Sequence, residues 1–126
     1  MKGGDANVVM YDTTRKEVKK VLVHKLTEQI DIENNRLNKY GDILTTLLKH
    51  EKDLDFFELD NVSIACFKFS ELTDSLNNLY VAILNCKDNK ELLKECIPFV
   101  NELSFLIASF AMGIMKIKEE VEWKLS

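Results

Sequence analysis

The chain has 126 residues, 46% of them hydrophobic, with a formal charge of −4 at pH 7 and a pI near 5.2. That length suits one domain burying about two thirds of its unfolded surface. The acidic balance argues against a main role in wrapping duplex nucleic acid, which needs an excess of cations to release counterions.

Four glycines and the single Pro98 leave too few turn residues for a sandwich or barrel, so long helices are expected. Residues 1–12 read as a flexible or loosely docked lead, and residues 13–126 as a single helical-bundle domain. No apolar core of seven or more residues follows Lys2, so this stretch does not have the form of a signal peptide.

The first helix is expected over about 14–50. Thr14-x-x-Glu17 has the form of a capping box, and the apolar repeat then runs Val23, Leu26, Ile30, Leu37, Tyr40, Leu44, Leu47. Gly41-Asp42 resembles a stop and a new start. The seven-residue spacing Ile30, Leu37, Leu44 passes through it without a phase shift, which favours one continuous helix.

The second helix is expected over about 61–86, with Asp60 as N-cap and Val62, Ala65, Phe69, Leu72, Leu76, Leu79, Ile83 and Cys86 facing the core. Its β-branched and aromatic opening could pass for a strand, but no second strand exists to pair with it. In the preceding acidic link, Phe56 and Phe57 beside Leu54 and Leu59 are expected to fold back over the open end of the bundle.

The third helix, about 89–124, is the most informative. Leu93, Val100, Ile107, Ile114 and Val121 hold one heptad position, and Cys96, Leu103, Phe110 and Ile117 the next. Phe105, Leu106, Ala108, Ala111, Met112 and Met115 spill around the rest of its girth, so it needs neighbours on more than one side. Pro98 removes a bond to the carbonyl of Lys94 and predicts a kink there. Short connections then give an all-α, antiparallel up-down-up bundle of three long helices. The uncharged run from Leu103 to Met115 is 13 residues, where a bilayer span needs ~20. No membrane partner is expected.

Catalytic chemistry is not visible. Neither His24 nor His50 has an acid three residues before it, the spacing that bundle metal sites use, and His24 with Glu28 reads as a surface pair. Asp53-x-Asp55 opens like a calcium loop, but Phe57 and Glu58 stand where an oxygen ligand and a glycine are required. Gly3-Gly4 lacks the strand and helix of a phosphate cradle. The odd count of Cys66, Cys86 and Cys96 fits a reducing, cytoplasmic setting, with Cys86 and Cys96 on core positions, where they could face each other as thiols or as a bridge. The chain is accordingly expected to be no enzyme, with no catalytic, cofactor or metal residues and no small-molecule substrate.

The charge layout is less ordinary. Residues 15–25 hold Arg15, Lys16, Lys19, Lys20 and Lys25 against Glu17, while residues 51–60 hold five acids against Lys52. Both placements oppose the dipole of a helix running 14–50. A bundle with one basic and one acidic end suggests an antiparallel homodimer setting unlike ends together.

Ser104, Phe105, Leu106, Ala108, Met112 and Met115 are the candidate interface, with small residues at Ser109, Ala111 and Gly113 permitting close approach. Trp123 is a partner contact if exposed and a core lid if not. The leading expectation is a non-catalytic interaction or assembly protein, a homodimer or small subunit of a larger complex. The alternative is a nucleic-acid-associated subunit using Arg15, Lys16, Lys19 and Lys20 against phosphates, or against an acidic partner.

Overall fold

The computed structural model describes the backbone of residues 2–126 and the side chains of residues 16–126. Three helices, α1 (Lys2–Lys49), α2 (Phe56–Asn85) and α3 (Lys90–Leu125), pack pairwise against one another in up-down-up order, with a single turn of 3-10 helix, Glu51–Asp53, between the first two. Among the described residues there is no strand.

The heptad positions read from sequence form the core. Leu26, Ile30, Leu37, Leu44 and Leu47 from α1 meet Val62, Ala65, Leu76 and Ile83 from α2 and the Leu93 to Val121 seam of α3, with Val23, Tyr40, Phe69, Leu72, Leu79, Cys86, Leu103 and Ile117 half-buried around them.

Two helix starts differ from expectation. Helix α1 begins at Lys2, so Thr14 lies inside it and is not its N-cap position. The lead expected over residues 1–12 is backbone-helical from Lys2 onward; how its side chains sit lies outside the described residues, as does the side chain of Arg15. Helix α2 starts five residues earlier than Asn61, because Asp55 rather than Asp60 is its N-cap. The Glu58 amide donates to the Asp55 carboxylate at 2.8 Å, and the Asp55 amide donates back to Glu58 Oε1 at 3.5 Å. That reciprocal box closes two orphan donors, where Asp60 alone would close one.

These starts remove the apparent conflict with the helix dipoles. The basic run sits several turns inside α1, and Asp55 and Glu58 belong to the N-terminus of α2, where acids are favourable, while Lys49 completes the last turn of α1. Helix α3 opens as expected on Asn89, whose side chain accepts from the amides of Glu91 at 3.1 Å and Leu92 at 3.2 Å. It carries Pro98 inside a continuous helix.

Glu33 occupies a core position of α1, between Leu26 and Tyr40 in the same heptad column, and is only 2% exposed. Its carboxylate accepts from Ser104 Oγ of α3 at 2.8 Å, from Gln29 Nε2 at 3.0 Å and from Arg36 Nη1 at 3.3 Å. Burying a charge is unfavourable unless such partners surround it. The Ser104 bond is the polar contact that sets α1 against α3 in one register.

Gly41 lies in mid-helix, where the α1 seam runs on unbroken, because a Cβ there would meet the Phe69 ring of α2 at 2.7 Å. Phe69 in turn packs on Phe110 with ring centroids 6.5 Å apart, which limits its room to yield. Gly41→Ala gains up to ~1 kcal/mol of helix propensity and meets overpacking of ~1–3 kcal/mol. The expected outcome is a net loss of about 1 kcal/mol in urea unfolding, and a more stable variant would contradict this packing.

Candidate interaction surface

Helix α3 turns one side to α1 and α2 and leaves the rest outward. Its heptad columns behind the core carry Phe105 and Met112, 71% and 75% exposed, with Phe99 and Leu106 also exposed beside them. These four lie within two heptads on a helix whose most apolar 18-residue window has a mean hydropathy of 1.6 and is 28% buried. By length and composition alone α3 is therefore long and apolar enough to cross a bilayer, although its longest uncharged run is short for one.

The candidate interface residues divide between two environments. Phe105, Leu106 and Met112 are exposed, whereas Ser104, Ala108 and Met115 are half-buried. Ser104 spends its hydroxyl on Glu33 within the chain. Ala111 is buried in the bundle, so its small side chain serves internal packing. Gly113 and Ser109 are exposed and line the outside of α3.

Between α2 and α3 runs an open groove in two sections. The first, ≈ 580 Å³, is bounded by Ser75, Asn78 and Ala82 of α2 and by Leu92, Phe99 and Leu106 of α3. The second, ≈ 390 Å³, continues past Leu106 along Ile64 and Lys68 to Ser109 and Gly113. In the first section, short side chains on the α2 wall and long apolar ones on the α3 wall give the groove its depth. Cys86 and Cys96 sit in its floor as free thiols, and burial raises the Cys96 thiol above its ordinary pKa, with Cys86 adding to the effect. A raised thiol is a poor nucleophile at neutral pH.

The ends carry opposite charge. Lys16, Lys19 and Lys20 of α1 gather around a recess of ≈ 510 Å³ with His24, Asp88 and Lys87, the last brought in from the α2–α3 connection. Sequence spacing had no means of adding Lys87, which is 67 residues beyond Lys20. Lys25 is exposed on the same helix.

At the other end Phe56 and Phe57 are each 78% exposed and stack edge to face, with ring centroids 6.1 Å apart. They do not cover the bundle. Leu54, buried, and Leu59, half-buried, do that, because the early start of α2 puts both phenylalanines on its outward first turn. Trp123 is 85% exposed and so is no core lid.

Lys124 ties this end together, bonding Glu58 at 2.8 Å and lying 3.9 Å from Asp55. The Glu58 carboxylate raises the Lys124 ammonium pKa, with further help from Asp55. His24–Glu28 and His50–Asp53 are open pairs at 3.7 and 3.8 Å, and among the described residues no three His, Cys, Asp or Glu side chains are placed to hold a metal ion. Against protein-family models, curated proteins and solved structures alike, the chain finds no match.

The Asp55 carboxyl is held below its ordinary pKa, first by the amide of Glu58, then by the Glu58 side chain and the Lys124 charge. A lowered carboxyl contributes stability that is complete above its unfolded pKa and is lost as pH falls through the folded value. Asp55→Asn keeps a capping oxygen but does not titrate. Thermal unfolding from pH 6 to pH 2 should show the wild type losing its advantage over Asp55→Asn below about pH 4. A constant difference across that range would contradict the assignment.

Proposed function

We propose that this chain is a non-catalytic helical interaction or assembly protein, acting as a homodimer or as a small subunit of a larger complex through the outer face of α3. The observation that carries the reading is the low burial of α3's most apolar window: 28% of its residues are buried in the chain's own bundle, while Phe105, Leu106 and Met112 stand exposed. Exposed apolar patches of this kind mark sites where a protein meets another surface. The opposite charges of the two ends support an antiparallel homodimer, in which each basic end approaches its partner's acidic end. Free thiols at Cys66, Cys86 and Cys96 accord with a reducing, cytoplasmic setting.

A second reading rests on the recess of Lys16, Lys19, Lys20 and Lys87, which presents several ammonium groups to one anion. Under it the chain is a nucleic-acid-associated subunit whose lysines neutralise phosphates. The overall negative charge limits such contacts to that end.

Light scattering across micromolar concentrations and several salt concentrations, with a parallel nucleic-acid titration, separates these readings. The interaction reading predicts a dimer or larger species and at most weak, non-specific nucleic-acid binding. Strictly monomeric behaviour excludes the homodimer. Tight binding that weakens steeply with salt and disappears when Lys16, Lys19 and Lys20 become Glu would favour the second reading.

A further inference from the structure

Gly41 and Gly113 both lie in mid-helix, and they differ in one respect. A Cβ at Gly41 would strike Phe69 at 2.7 Å, whereas a Cβ at Gly113 would meet nothing within 4 Å. Glycine weakens a helix interior, so a position that holds one is expected to have a packing or functional reason. The bundle supplies that reason at Gly41. At Gly113 it supplies none: the space in front of it is the open groove lined by Leu106 and Ser109 of α3 and by Ile64 and Lys68 of α2, with exposed Phe105 and Met112 elsewhere on the outer side of the same helix. Close approach of another backbone at Gly113 accounts for both features.

Charge identifies the occupant. Glu102, Ser109 and Lys116 follow one another at seven-residue spacing, on the same line of α3, about 10 Å apart at the usual rise. All three are exposed, and among the described residues neither Glu102 nor Lys116 makes an ion pair within the chain.

A two-fold axis through Ser109, relating two antiparallel copies of α3, sets Glu102 against the partner's Lys116 and Lys116 against the partner's Glu102. The same axis sets Phe105 against the partner's Gly113 and Leu106 against the partner's Met112. Every long side chain on this stretch thus meets a complement, and the phenylalanine enters the space that glycine leaves open. A parallel pairing would instead oppose Glu102 to Glu102, Lys116 to Lys116 and Phe105 to Phe105, which repels and crowds at once.

We infer that the occupant of this face is a second copy of the chain, docked antiparallel through α3 about a two-fold axis at Ser109, with Phe105 seated on the partner's Gly113. This rests on the interaction reading above and gives it a register. The same arrangement brings each copy's basic end toward its partner's acidic end without further assumption, since α3 starts at the basic end and finishes at the acidic one. The charges of the first half of α3 are mixed, Lys90 and Lys94 against Glu91, Glu95 and Glu102, with no excess of cations, so an anionic lipid surface is a poor occupant.

The test uses the full chain in a Cys66→Ser, Cys86→Ser, Cys96→Ala background first shown to retain the wild-type fold and oligomeric state. In it Ser109→Cys should form a disulfide-linked dimer on mild oxidation. Glu102→Cys and Lys116→Cys should cross-link when mixed, and neither alone. Separately, Gly113→Leu should weaken self-association at least tenfold while leaving the circular dichroism of the isolated chain unchanged, because a Cβ at this position has no atom of its own bundle within 4 Å and opens onto the groove.

A dimer that persists in Gly113→Leu and fails to cross-link at position 109 overturns this register but leaves the interaction reading standing. A wild-type chain that stays monomeric overturns the second-copy assignment and leaves the interaction reading only in its form as a subunit of a larger complex. A chain monomeric in buffer that co-sediments with phosphatidylcholine vesicles overturns the second-copy assignment in favour of lipid.

Discussion

A three-helix bundle gives each helix two neighbours, and α3 has apolar surface on more sides than two neighbours cover. That mismatch governs the rest of the molecule. The a and d columns from Leu93 to Val121 are satisfied inside the bundle. Behind them Phe99, Phe105, Leu106 and Met112 remain in water, each at an unfavourable transfer free energy of order 1 kcal/mol or more. Fixing α3 rigidly enough to present that surface falls to α1 and α2, through the shared core and through the Glu33–Ser104 bond on its flank.

Glu33 shows how specificity and stability part company in such a fold. Leu or Ile at this core position would add apolar burial, and replacing buried ionic groups by well-packed hydrophobes is often neutral or favourable. What the carboxylate adds is directional. It can be satisfied only when Ser104 arrives at one height along α1, with Arg36 half in solvent to hold the charge. A slip of α3 by one heptad would leave that carboxylate short of a partner in a dry core.

The core was legible in the sequence because heptad spacing survives without any knowledge of partners. Ile30, Leu37 and Leu44 carried the first helix through Gly41 on phase alone, and the structure supplies the reason in the Phe69 ring. Glu33 escaped the same reading because an alphabet of apolar letters skips it, although Leu26, Tyr40 and Leu47 mark its column and predict something buried there. The helix starts were harder. Thr14-x-x-Glu17 and Asp60 both have capping chemistry, but a cap is decided by which residue leaves helical geometry, and Asp55 with Glu58 offered the better pair of bonds. The clustering of Lys87 with Lys16, Lys19 and Lys20, and the outward turn of Phe56 and Phe57, depend on how connections place helix ends, which spacing along one helix does not encode.

The outward half of α3 was readable as surplus, and the structure sharpens it into a face with a glycine at its centre and an acid and a base on either side of Ser109. The central claim is that this face is covered by protein in solution. Hydroxyl-radical footprinting of Met112 as a function of chain concentration tests it most directly, since a thioether is a sensitive target and this one is 75% exposed in the isolated chain. The account predicts slow Met112 oxidation at high concentration that quickens on dilution, while half-buried Met115 changes little. Fast oxidation of Met112 at every concentration would contradict it.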